Sequence, residues 1–567
     1  MTVKMERIIS IARGQFPADL VLKNARIVNV FSGDIESGNV AIADGLIAGI
    51  GDYSQGKATI DLKSNFLLPC LINGHVHIES SMLDVGEYAR AVVPRGTTSL
   101  ITDLHEIANV CGLYGIHYVL EKARRLPLDI FLMAPSCVPA TKMETAGAEL
   151  GVSEIRQLLR LRRCLGLGEV MNYPGVIYGD QLILNKITVA EGKVIDGHAP
   201  GVSGKDLNAY IAAGIRSDHE SVVLEEAREK LKRGMHIMIR EGSSEKNLET
   251  LLPLVNDQTY RRCMLVVDDR SCVDILNDGD IDAVVRKAIR LGLEPVRAIQ
   301  MASINPAEYF RLERLGAIAP GYYANLIVTT DLKNLPVDMV FYKGHLVGKE
   351  RKPLFSLKNS GRQTLTETIN IKPFEAKALR LKAKGETAFV IEIIPGQIIT
   401  KKREMRVKVE NDYIVPDVGR DILKLVVVER HKHNGNIGRG LVTGFGLKKG
   451  ALATSIAHDS HNIVAVGTND NDIFTAIKQI EKMQGGLTVV ADNKVLASLA
   501  LPVAGLLSDK PLEDTVKKLQ FVEQEAAKLG VKVKSPFSTL SFVALPVIPE
   551  LRLTDMGLVD VLQFKLI

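Results

Sequence analysis

Two imidazoles one residue apart, His75 and His77 in Gly74-His75-Val76-His77-Ile78-Glu79, are the first residues whose type and spacing point to chemistry. Side chains alternate along an extended strand, so both rings project to one side and reach a single metal ion. Two polar residues in a loop would satisfy the same short pattern. The pattern gains weight because similar residues recur at the ends of later apolar runs: Glu169, His198, His219 and Asp268. Four imidazoles and two carboxylates, with no thiolate, make a site for one or two divalent ions of borderline hardness. A carboxylate such as Glu169 can bridge two ions through its two oxygens. Each residue also has a bland role, Glu169 as a partner of Arg163 and His198 as a turn residue in Asp196-Gly197-His198-Ala199-Pro200-Gly201.

Such residues need elements to hold them. Across 69–315, short apolar runs alternate with amphipathic helical stretches such as Glu225 to Arg233 and Ile281 to Leu291. That is the pattern of parallel strands with crossover helices. Strand ends are expected at His77, Asp103, Pro135, Glu169, His198, Asp218, Arg240 and Asp268. They fit one (β/α)8 barrel, whose active sites gather at the C-terminal strand ends. The apolar run Phe66 to Ile72 reads as one buried strand leading into His75. Residues 1–68 read as part of a small β-domain, with a hairpin turn at Asp44-Gly45. Residues 316–357 return to the same sheet, so the fold class is α/β, a TIM-like barrel inserted in a small β-sandwich domain. Beyond the charged linker Lys349-Glu350-Arg351-Lys352-Pro353, residues 358–567 read as a separate α+β domain. Within it, His458-Asp459-Ser460-His461 could bind a further metal, cover the barrel mouth, or make a hydrogen-bonded contact between domains.

Composition narrows the function classes. A chain of 567 residues holds several domains. Its net charge of +5, from 71 basic and 66 acidic residues that are interspersed, argues against nucleic acid or a membrane surface as a partner. Six cysteines without a Cys-x-x-Cys pair read as reduced thiols. No signal-peptide pattern and no membrane-spanning run is visible, so a cytoplasmic protein is expected.

The motifs together resemble the amidohydrolase superfamily and, within it, the prokaryotic adenine deaminases. The resemblance rests on His75-Val76-His77 with Glu79-Ser80-Ser81, Gly96-Thr97-Thr98, Asp103-Leu104-His105-Glu106-Ile107-Ala108-Asn109-Val110 and Gly168-Glu169-Val170-Met171-Asn172. It continues through Asp196-Gly197-His198, Ser217-Asp218-His219-Glu220, Arg240-Glu241-Gly242-Ser243-Ser244 and Asp268-Asp269-Arg270 to Ala457-His458-Asp459-Ser460-His461-Asn462 near the C-terminus.

The resemblance implies a metal-dependent hydrolase barrel that deaminates free adenine to hypoxanthine and ammonia in purine salvage. His75, His77 and Asp268 would hold one ion and His198 and His219 the other, with Glu169 bridging. The ions would be Mn²⁺ or Fe²⁺, with Zn²⁺ as a further candidate. Paired cations acidify a shared water, Asp268 takes its proton, and the departing amine receives it; Glu169 and His219 complete the catalytic set. Glu79, Glu106, Asn109 and Asp269 are candidates for holding the purine, or for orienting ligands. A homo-oligomer, a dimer, is expected. Glutamate at 169 departs from relatives that bridge with a carboxylated lysine. Three places depart from the adenine deaminase pattern: Leu104 replaces a proline, Ser271-Cys272 stand where a histidine is common, and Asp280 replaces a histidine. The last two are expected near the site. The other deaminase chemistry, His-x-Glu followed by Pro-Cys-x-x-Cys, is excluded because Pro69-Cys70 lies upstream and residue 73 is asparagine. The competing readings are a related amidohydrolase acting on another purine, pyrimidine or cyclic amidine, and a non-catalytic metal-stabilised scaffold.

Overall fold

The computed structural model describes residues 2–357, 365–395 and 397–567. Its centre is a ring of parallel strands. One arc has five strands, in the order Val194–Gly197, Cys164–Val170, Asp129–Pro135, Thr97–Thr102 and Leu71–Asn73. A second arc has three: Ser217–Asp218, His236–Arg240 and Cys263–Val266. Two contacts close the ring. Asp268–Asp269 pairs in parallel with Val76–His77, where the Asp268 amide donates to the His75 carbonyl at 3.0 Å. On the far side the Arg216 amide donates to the Ile195 carbonyl at 3.0 Å. The result is a (β/α)8 barrel.

Parallel strands covered by helices are buried on both faces. Ile72, Ile101, Met133, Met238, Met264 and Val266 pack inside the ring, while their neighbours Leu71, Leu100, Leu132, Ile237 and Leu265 belong to the core beneath the helices. Two residues onward, the inward rows arrive at Asp103, Arg240 and Asp268. Period-two alternation thus collects polar groups at one end of an apolar tube. Glu169 needs an extra device. Gly168 already faces inward, where a Cβ would lie 2.8 Å from Asp103 Cβ and 2.9 Å from Met133 Cβ. Strict alternation would therefore turn residue 169 outward. A register shift between Leu167 and Val170 and a φ of 22° at Glu169 bring its carboxylate into the ring instead. Asp268 is also left-handed, with φ 64°. Strain of this kind costs ~1–3 kcal/mol per residue and persists where the surroundings over-determine it.

The small β-domain is one nine-stranded sheet built from both ends of the barrel insertion. Leu326–Thr329 pairs antiparallel with Phe66–Pro69, and the sheet curls until the Ile47 amide donates to the Tyr322 carbonyl at 2.8 Å. Asp44 and Gly45 form the hairpin turn with φ of 53° and 80°. Two sequence expectations change here. The run Phe66 to Ile72 is two strands in two sheets, Phe66–Pro69 in the β-domain and Leu71–Asn73 in the barrel, exchanged at Cys70. Both lie in apolar surroundings, so hydrophobic periodicity carries no sign of the change. The expected charged linker is a hairpin: His345–Lys349 pairs with Lys352–Pro353 across Glu350 and Arg351, at φ of 49° and 60°. The boundary expected at 357/358 abuts 358–364, which lie outside the described residues.

The C-terminal region carries an eight-stranded sheet with the helices Asp470–Met483, Leu512–Lys528 and Pro536–Phe542. It packs against the barrel. One apolar core runs from Leu104 and Ile107 through Leu452 and Val464 to Phe537. The loop between Ala451–Thr454 and Ile463–Gly467 reaches the barrel mouth with His458 and His461.

Candidate active site at the barrel mouth

The C-terminal strand ends gather His75, His77, Glu169, His219 and Asp268, all buried, and His198, half-buried. Glu169 divides its carboxylate between two groups. Its Oε1 lies 2.9 Å from His77 Nε2 and 3.3 Å from His75 Nε2. Its Oε2 lies 3.2 Å from His198 Nδ1 and 3.7 Å from His219 Nε2. Asp268 Oδ1 joins the first group, 3.1 Å from His77 Nε2 and 3.4 Å from His75 Nε2. Its Oδ2 accepts from Arg240 Nη1 at 2.8 Å. Arg240 also makes a two-toothed contact with Glu220, so the guanidinium fixes the plane of Asp268 while itself being fixed.

The donor set fits divalent metal. His75 Nε2, Glu169 Oε1 and His219 Nδ1 are buried without a hydrogen-bond partner among the described residues, and orphaned buried polar atoms call for an explanation. Ligand atoms about 3 Å apart suit a shared ion at the ~2.0–2.2 Å usual for imidazole and carboxylate. Ligand atoms lie within 4.8 Å of one another in several groups, among them His75–His77–Asp268, His75–Glu169–His219, His77–Asp103–His105–Glu169 and His198–His219–Glu220. The protein's own charges pull the rings apart in proton affinity. Burial opposes charge on His75, yet the carboxylates of Asp268 and Glu169 beside it outweigh it and push its pKa up to about 10. Burial, then the charge of His75, pushes its stacked neighbour His219 down to about 4.

Two loops present His198 and His219, and a single lysine ties them together. Lys230 Nζ donates to Asp218 Oδ2 (2.9 Å), the Ala199 carbonyl (2.7 Å), Ser221 Oγ (3.2 Å) and Glu226 Oε1 (2.7 Å), and the side chain is fully buried. Asp218 Oδ1 in turn accepts from the Ala199 amide at 2.9 Å. Each histidine thus sits next to a residue held in this knot.

Several functional groups are not in the sequence-derived set. Asp103 and His105 stand beside the cluster, His105 Nδ1 lying 2.9 Å from Asp103 Oδ2 and Asp103 Oδ1 3.3 Å from His77 Nδ1. The signal was available, since a carboxylate and an imidazole two residues apart at a strand end repeat the spacing of His75 and His77 one strand later. Leu104 between them takes φ 57°, a conformation closed to proline. Arg240 was visible as a strand end and in a motif of the resemblance, without a role assigned to it.

The substrate-side candidates separate. Glu79, Glu106 and Asp269 line a cavity of about 360 Å³ at the mouth, whose outer wall is C-terminal: His458, His461, Phe537 and Phe542. Burial pushes Glu79 up to about 7. Glu106 is taken by the C-terminal region, contacting both His458 and His461. Burial opposes its charge, but His458 and His461 hold it well below the usual carboxylate range. The segment 458–461 is therefore a hydrogen-bonded contact between regions and a wall of the cavity. Asn109 faces away: its amide donates to the His105 carbonyl at 3.0 Å, and it does not line the cavity. Of the two departures expected near the site, Ser271 lines the cavity and caps the helix Cys272–Asn277. Asp280 does not; it is buried against Asn73, Tyr88 and Thr97.

A parallel barrel with imidazoles and carboxylates gathered at its C-terminal strand ends defines a metal-dependent hydrolase, and residues 66–347 match the Amidohydrolase family. Residues 397–565 match the Adenine deaminase C-terminal domain. The chain is 61% identical over its whole length to an adenine deaminase of Dehalococcoides mccartyi, covering 99% of that protein. It is 50% identical to adenine deaminase 2 of Carboxydothermus hydrogenoformans, with 99% of this chain and 98% of that one covered. An adenine deaminase of Halalkalibacterium halodurans is 47% identical, with 100% and 98% covered. The chain belongs to the adenine deaminase family.

Proposed function

We infer that this protein hydrolyses adenine to hypoxanthine and ammonia, using two divalent cations held by His75, His77, Glu169, His198, His219 and Asp268. The substrate reading is carried by the full-length match to relatives bearing that name. The two-ion reading is supported by the division of Glu169 between two imidazole pairs. Bound cations supply Lewis acidity that brings the pKa of water toward neutrality.

The remaining work belongs to side chains. Asp268 keeps one oxygen toward His75 and His77 and the other on Arg240, so it is positioned to take a proton from the attacking water. It then returns that proton to the amine leaving C6. Arg240 keeps the carboxylate pointing inward through both transfers. Asp269, which accepts from Ser80 Oγ, and Glu79 offer hydrogen bonds to the ring from the cavity wall. His458 stacks on Phe542 at 4.6 Å between ring centroids and forms part of the cavity wall. Mn²⁺ or Fe²⁺ suits a site with imidazole and carboxylate ligands and no thiolate.

The test combines chemistry with counting. Protein reconstituted with Mn²⁺ or Fe²⁺ should form hypoxanthine and ammonia from adenine and carry about two metals per chain by elemental analysis. One metal or fewer at full activity would exclude the two-ion assignment. Absence of ammonia from adenine, with release from another amino-purine or amino-pyrimidine, would replace the substrate.

A further inference from the structure

A buried carboxyl in the cavity, that of Glu245, has no part in the cluster or its supports. Glu245 is 9% exposed and lines the cavity alongside Asp269 and Glu79. Neither of its oxygens has a hydrogen-bond partner among the described residues. Its position is built. The Gly242 amide donates to the Glu245 carbonyl at 2.9 Å, closing a tight turn. Gly242 is pressed so closely on the strand end that a Cβ there would lie 2.5 Å from the Asp269 carbonyl oxygen. On the near side of the turn, Glu241 accepts from the Leu248 amide at 3.2 Å and from Lys287. The nearby guanidinium of Arg240 is committed to Glu220 and Asp268.

Leaving a buried polar group unpaired is costly. A turn this well anchored holds Glu245 in the cavity at that cost, which a ligand with complementary groups would remove. Burial, reinforced by the charge of Asp269, pushes the carboxyl up to about 8, so it keeps its proton at neutral pH. A protonated carboxyl donates through one oxygen and accepts through the other. Its complement is a ring edge carrying an acceptor nitrogen and an N–H two atoms apart. In adenine the N3/N9–H edge has that arrangement. It is also the edge furthest from C6, which must face the metal cluster, and Glu245 stands on a loop beyond the strand end.

We propose that Glu245 is a specificity-determining residue that reads the N3/N9–H edge of the purine. The proposal rests on the adenine reading above. Glu245→Ala should raise KM for adenine by ~10–100-fold, the loss of a buried donor–acceptor pair, while kcat changes by only a few-fold. Glu245→Gln should keep KM within a few-fold of the parent, because an amide also donates and accepts side by side. 9-Methyladenine, which lacks the N–H, should be discriminated against by the parent and by Glu245→Gln. In Glu245→Ala that gap should close. An unchanged KM for adenine in Glu245→Ala, or a 9-methyl penalty that survives in it, would overturn the Glu245 assignment and leave adenine as substrate. Failure of the metal-loaded parent to turn over adenine at all would overturn both.

Discussion

Asp268→Asn should lower kcat for adenine by ~10²–10⁴-fold, the usual contribution of a positioned proton-transfer group. The backbone argument explains why the loss should appear in turnover and not in folding. Asp268 reaches the cluster from a left-handed backbone position, and asparagine is among the few residues that adopt that conformation readily. Arg240 decides how the amide sits. Its Nη1 donates to Oδ2 at 2.8 Å, so the amide oxygen turns to the guanidinium and the NH₂ faces His75 and His77. That leaves no acceptor where the proton must go. Metal content must be measured on the same sample, because the same rotation removes a ligand oxygen. A sample that keeps its metals but loses turnover isolates proton transfer. Asp269→Asn is the comparison. Its carboxylate accepts from Ser80 and lines the cavity, so the expected effect is on KM. A severe loss of kcat in Asp269→Asn with a mild one in Asp268→Asn would exchange the two roles.

The convergence of His75, His77, Glu169, His198, His219 and Asp268 was legible because each ends an apolar run, and parallel barrels bring such ends to one face. Glu169 was legible for an incomplete reason. Its run marks a strand end, but simple alternation points the residue outward, and only the register shift and the φ of 22° turn it in. The partners of Glu106 were out of reach. His458 and His461 come from a different sheet more than three hundred residues away in sequence, and no local period encodes that meeting. Asn109 and Asp280 failed in the opposite sense. Both are polar residues near site motifs, and both satisfy backbone or core groups instead of the cavity. Glu245 was masked by its neighbours, since Ser244 and Lys246 are exposed and the stretch reads as a solvated loop. The charged hairpin at 349–353 misled for a related reason: turn residues that face solvent have the same composition as a linker.

Lys230→Met should lower stability by about 3–5 kcal/mol, the cost of removing one member of a buried ion pair. Methionine matches the length of the lysine stem, so packing is largely conserved and the loss is electrostatic. Asp218 is completely buried and, among the described residues, would keep only the Ala199 amide and Ser221 Oγ as partners. Glu226, one helical turn before Lys230, would lose its partner at 2.7 Å, but it lies nearer solvent and contributes less. Against the stability of a barrel-sized unit, a loss of this size lowers the apparent Tm by roughly 6–20 °C. The effect should also reach the metal cluster unevenly. Ala199 and Asp218 adjoin His198 and His219, whereas His75 and His77 are carried by the opposite strands. Metal bound by the His198–His219 pair should therefore be lost first when Lys230→Met is titrated with a chelator, with the other ion retained. The double variant Lys230→Met/Asp218→Asn separates charge from geometry. It removes the stranded carboxylate, so it should recover part of the lost Tm without recovering the metal. Should Lys230→Met melt with the parent and release both ions together, the lysine knot would have no part in holding the second pair.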